Sequence, residues 1–227
     1  MDNLELRDKI IQNLTRKSNL QQKIFDNTFM VLGELKEILH EISSDLNDDL
    51  DDVLDRRVRI EYRDRGKYEA QLQVASDIII FSMHTNVFEF GREHPVWSNP
   101  YAADRENTYC GVINIYNFLA DSFKYNRNGD AGYLIGRIFV NREMKYFVEG
   151  KRQNSCRHND FGSRSIDRAA LVDIIEAAVD YSINFDLLVP PFDTVKEIMV
   201  EQLNTRMEHS KIPTAKRLGY KYRTDDV

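Results

Sequence analysis

Two cysteines, Cys110 and Cys156, are all that the 227 residues contain. They are too few for a disulfide framework, so stability is expected to come from packing, and a reducing cytoplasm is the expected compartment. No stretch approaches the roughly 18 apolar residues of a membrane-spanning helix, and the first residues lack the apolar core of a secretory leader, so no membrane role is expected. Positive charge is also in deficit. Lys and Arg number 31 against 37 Asp and Glu, a net charge of −6, which excludes a global field drawing the protein to nucleic acid. Any anion site must therefore be local. There is no internal repeat, no low-complexity segment and no phosphate-binding glycine loop.

What is present is patterned. Ile24, Thr28, Val31, Leu35, Ile38 and Ile42 follow alternating spacings of four and three, the seam of a long helix. Phe25, Phe29, Leu32 and Leu39 widen that stripe, which suits packing on a domain better than a two-stranded coil. Ser18-Asn19 is expected to divide a first helix from the main one. The acidic run from Asp45 to Asp55 opens like a calcium loop but has Leu50 where glycine is needed and Arg56 in place of the chelating Glu, so it reads as a solvated helix face. Val58, Ile60 and Tyr62, then Tyr68, Ala70, Leu72 and Val74, alternate with polar residues around the turn Asp64-Arg65-Gly66, a hairpin with one buried face. Ile78 to Phe81 is a further strand, and Val87 to Phe90 another. Residues 91–108 carry the only Trp, Trp97, and have the length of a lid or binding loop. Residues 109–123 fit strand or helix, and Asn114 and Asn117 within them need partners if buried.

The centre of the chain is Tyr109 to Arg168. Tyr133 to Val140 and Met144 to Glu149 read as antiparallel strands, with Tyr146 and Val148 on one face and Phe147 and Glu149 on the other. A helix starts near Ser165 or Asp167 and buries Ile166, Ala170, Leu171, Ile174, Ile175, Ala178 and Tyr181. Phe185 to Val189 reads as a short strand, and Asp193 as the N-cap of a second helix with Val195, Ile198, Met199 and Leu203 inward. The expected fold is α+β: an antiparallel sheet of about six strands, with a long helical N-terminus and two C-terminal helices packed on it. The expected division is a helical segment over 1–56, an α+β domain over 57–210 and a basic tail over 211–227.

Two constellations carry chemistry. Arg152, Arg157, His158, Arg164 and Arg168 gather ahead of a helix N-terminus, where free N–H groups and the dipole also favour an anion. Asp130 with Glu149-Gly150-Lys151 is the other: paired carboxylates hold Mg²⁺, and a lysine beside them steadies developing phosphorane charge. That pattern resembles the Asp…Glu-x-Lys signature of restriction-endonuclease-like nucleases, which implies Asp130, Glu149 and Lys151 as catalytic residues and Mg²⁺ as the cofactor. Through FSMHTNVFEF over 81–90 and INIYNFLAD over 113–121 the chain also resembles members of an uncharacterised protein family of Bacteroidota bacteria, a likeness that implies no activity. Cys110, Cys156, His94 and His158 lack zinc-ligand spacing, so no metal site is expected from them.

The expected function is a cytoplasmic, non-catalytic binding or interaction module for an anionic ligand or a partner protein, with no cofactor. The alternative is a metal-dependent nuclease or phosphodiesterase, and a third reading is a structural homodimer through the N-terminal helices.

Overall fold

A computed structural model describes residues 3–55, 58, 60–150, 161–185, 189, 191–197, 199 and 200. Its longest element is helix α1, Asn3–Leu50, which has no proline and a single glycine, Gly33. Ser18 and Asn19 do not break it: both are exposed on the helix surface, where a polar side chain is not forced to compete for the helix backbone. The helix ends in the run Asp48, Asp49, Asp51 and Asp52, poor helix formers whose negative charge opposes the dipole at this end.

Seven strands follow, β1 Ile60–Asp64, β2 Glu69–Val74, β3 Asp77–Met83, β4 Phe88–Glu89, β5 Tyr109–Leu119, β6 Tyr133–Asn141 and β7 Tyr146–Gly150. They form one antiparallel sheet in the order β1-β2-β3-β5-β6-β7, with β4 added to the end of β5. Gly66 turns β1 into β2 at φ +96°, a conformation side chains disfavour. Residues 109–123 resolve as both expected alternatives: strand β5, then helix α2, Ala120–Lys124. Between β5 and β6 the register slips at Ile115/Tyr116, so that Ile135 and Gly136 together oppose Ile115. This bulge lets Ile135 join the core while Leu134 lies 42 % exposed.

One face of the sheet is covered by α1 and by α3, Arg168–Ile183. Val31, Leu32, Leu35, Ile38 and Leu39 of α1 and Leu171, Ile174, Ile175 and Ala178 of α3 meet Leu72, Ile79, Phe81, Ile113, Ile115, Ile138 and Val148 in one core. The seam of α1 is thus spent on its own sheet. Asp167 caps α3 by accepting from the Ala170 N–H at 2.8 Å. At the other end of α1, every residue from Leu6 to Asn19 is exposed, including Leu6, Ile10, Ile11 and Leu14.

The C-terminus departs from expectation. Among the described residues only α3 packs as a C-terminal helix, and α4, Phe192–Val195, is a single turn. Asp193 lies inside that turn, whose N-cap is Pro191, and Met199 is 70 % exposed rather than inward. Phe185 and Val189 are not in a strand, and residues 186–188, 198 and 201–227, with the basic tail, lie outside the described residues.

Candidate functional site

Among the described residues, the face of the sheet turned away from α1 and α3 is covered mainly at one end. There the connection 91–108 forms three successive 3-10 turns, capped in series by the side chains of His94, Asn99 and Asp104. It buries Val96 and Ala102 against Cys110, Val112, Phe139 and Phe161, and packs Trp97 beside them. Trp97 donates to the Gly91 carbonyl at 2.8 Å, with the Arg92 guanidinium over its ring. The connection is anchored rather than free. Asn141, fully buried, donates to the Tyr101 hydroxyl and the Asn107 carbonyl, and Arg142 reaches Asp104 and Glu106.

Beyond this cover, pairing aligns Glu69, Ser82, Asn114, Arg137 and Glu149 side by side on five adjacent strands. At one strand per ~4.8 Å the row spans roughly 19 Å. Ser82 donates to Glu69 at 3.1 Å, and Arg137 Nε donates to Glu149 at 2.6 Å. The Arg137 guanidinium also lies over the Phe139 ring. Asn114, half-buried in the middle of the row, has no side-chain hydrogen bond among the described residues.

A cavity opens on each side of this row. The first, about 410 Å³, has Cys110, Val112, Asn114, Arg137 and Phe139 beneath and His84, Phe88, Phe90 and His94 around it. His94 accepts the Val96 N–H at its Nδ1 (3.2 Å) and stacks on Phe90 with ring centroids 4.5 Å apart. His84 likewise accepts the Asn86 N–H at Nδ1, 3.0 Å. With Nδ1 accepting, each neutral imidazole carries its proton on Nε2 as a donor. Burial lowers the His94 pKa below the ordinary histidine value, outweighing the nearby Glu149. Burial pushes the Cys110 thiol far up, so it is not a thiolate nucleophile. Glu89 is held below the usual carboxylate range by Arg105, which grips it at 2.7 and 3.0 Å.

The second cavity, about 430 Å³, is lined by Ile80, Ser82, Tyr116, Phe118 and Phe123, with Arg65, Glu69, Arg127 and Asp130 as its charges. Asp130 accepts from the Ser122 hydroxyl at 2.6 Å, and Arg127 stands 3.4 Å away. Asp130 and Glu149 therefore sit with different partners. Glu149 pairs across the ladder with Arg137. Arg137 is four residues, roughly 13 Å, along β6 from Tyr133, and Asp130 precedes Tyr133. No metal-holding group of three or more His, Cys, Asp or Glu exists among the described residues.

Lys151, Arg152, Arg157 and His158 lie outside the described residues. Of the other expected anion-site cations, Arg168 reaches Glu34 at 2.7 Å and also Glu41, both on α1. Arg164 lines a shallow cavity shared with Asp167 and Asp173. Arg168 is thus paired with carboxylates that its sequence neighbourhood does not reveal. Conversely, His84, Phe88, Phe90, His94, Asn114 and Arg137 were not singled out together by sequence. Their one local signal is a polar residue at 114, and again at 137, on the outward phase of an apolar strand.

No helix among the described residues is long and apolar enough to cross a membrane. No protein-family model, no curated protein and no solved structure matches the chain.

Proposed function

We propose that this chain is a non-catalytic binding module, working in the cytoplasm, that takes its ligand on the uncovered face of its sheet. The observation that carries this reading is the asymmetry of the sheet: one face is sealed by α1 and α3, while the other keeps two adjoining cavities that meet at the Asn114–Ser82 step. Cavities of this size are at the small end of ligand sites. Their groups are suited to holding rather than reacting. Glu149 is occupied by Arg137 and Glu89 by Arg105, the Cys110 thiol is buried, and both imidazoles are fixed through Nδ1.

Nitrogen-15 NMR with benzoate, benzamidine and indole as probes tests the reading. Shifts clustered at Ser82, Asn114, Tyr116 and Phe139 are expected. Shifts confined to α1 and α3, or none at millimolar probe, overturn it.

A further inference from the structure

We infer that the cavity between Phe88, His94 and Arg137 is a site for an uncharged heteroaromatic ring of nucleobase size, read through the Asn114 amide. This deepens the binding-face reading and rests on it. The first observation is charge. The two ionic groups nearest the cavity each have a counter-ion in place: Arg137 with Glu149, and Glu89 with Arg105. A polyphosphate entering here would have to displace a carboxylate and would then face Glu89 and Glu149, so multiply charged anions are disfavoured. A neutral ring leaves both pairs intact.

The second observation is the supply of hydrogen bonds. The Asn114 amide has no hydrogen-bond partner among the described residues and offers a donor and an acceptor in one plane. That pair matches an edge carrying an acceptor beside a donor, as the N7 and N6 amino group of adenine do. Around it, His84 and His94 each retain an Nε2 donor, since Nδ1 is taken by backbone N–H.

The third observation is the lining. Val112 and Phe139 are buried beneath the cavity, and Phe88 stands at its rim 42 % exposed. A flat ring covering Phe88 gains the stacking that an exposed aromatic offers any base. The volume of about 410 Å³ admits one ring system with a sugar, not a long chain. An aliphatic ligand would leave the Asn114 amide unpaired, which penalises it.

Titration of the full chain with adenosine, guanosine, benzoate and ATP, followed through the Asn114 side-chain NH₂ and the Phe139 amide resonances, tests the inference. Adenosine or guanosine is expected to move both resonances, and ATP to bind no more tightly than adenosine. Asn114→Leu is expected to weaken nucleoside binding about tenfold or more, the equivalent of about one hydrogen bond. Asn114→Thr serves the same purpose if the leucine variant does not fold. Tighter binding of ATP, unchanged affinity in the Asn114 variant, or no nucleoside response overturns the inference. If benzoate or indole still moves the uncovered face while nucleosides do not, ring recognition falls and the binding-face reading stands. If no probe moves that face, both fall.

Discussion

Thr28 of α1 and Gly111 of β5 touch so closely that no methyl group fits between them. A Cβ on Gly111 would stand 2.1 Å from Thr28 Oγ1 and 2.8 Å from its Cβ. The Thr28 hydroxyl is fully buried and already donates to the Ile24 carbonyl at 2.7 Å, so it has nowhere better to turn. Gly111→Ala is expected to lower stability by about 1–3 kcal/mol, the usual range for overpacking. Urea denaturation measures it, and Thr28→Ala in the same chain should return part of the loss. An unchanged midpoint in Gly111→Ala would mean that α1 does not press on β5 here.

Among the described side chains, deleting residues 1–19 removes only exposed ones, with the Arg16–Glu106 ion pair, and should leave a cooperative thermal transition. Deleting 1–43 removes Ile24, Val31, Leu32, Leu35, Ile38 and Leu39, all buried. At about 1.5–3 kcal/mol per large buried aliphatic side chain, the six together are comparable to the whole 5–15 kcal/mol a domain usually possesses. Circular dichroism of the two truncations decides the matter; a soluble, cooperatively melting 44–227 fragment would refute the packing.

The depressed pKa of His94 makes stability depend on pH. A group less basic when folded than when unfolded binds fewer protons in the native state, so its contribution is fully present above the unfolded value near 6.5 and is lost as pH falls below it toward the lower folded value. The melting temperature should therefore fall between pH 7.5 and 5.5. In His94→Asn, which keeps a side-chain acceptor for the Val96 N–H, that fall should be smaller. Parallel curves for the two proteins would remove His94 as the cause.

Asn141 ties three segments together. Its Oδ1 accepts the Glu143 and Lys145 N–H groups at 2.9 Å each, and its Nδ2 donates to Tyr101 Oη and the Asn107 carbonyl. Asn27 of α1 donates to the Asn141 and Arg142 carbonyls of the same turn. Asn141→Ala should cost about 1–3 kcal/mol for the buried partners left unpaired. Tyr101→Phe should cost less, about 0.5–1.5 kcal/mol. Burial pushes the Tyr101 phenol up to about 12, so a phenolate absorbance titration should show a late-ionising component that Tyr101→Phe reduces. Its stabilising contribution is complete below about pH 10 and lost as pH rises through 12.

Periodicity made the fold legible wherever one face of an element is buried. The hairpin around Asp64–Gly66, the apolar faces of α1 and α3, and the opposite phases of Val148 and Glu149 could be read directly, since each pattern is written in neighbouring residues. Two kinds of feature could not. Asn114 and Arg137 become neighbours only through strand pairing, and Arg168 meets Glu34 across 134 positions of sequence. The second is the helix expected from Asp193. An amphipathic pattern supplies a face but not a surface to bury it on, and Phe192, Met199 and Val200 found none among the described residues.

The overhang of α1 turns one end of the molecule into a handle. From Leu6 to Thr15 the helix projects roughly 14 Å at 1.5 Å per residue, before Arg16 meets Glu106 of the 91–108 connection. Friction scales with such projections far more than mass does, so the intact chain should sediment more slowly than a sphere of its 26.6 kDa. Arg7 and Lys9 sit exposed on that handle. Trypsin should clip there once the helix frays, trimming the protein to a rounder particle without opening its core.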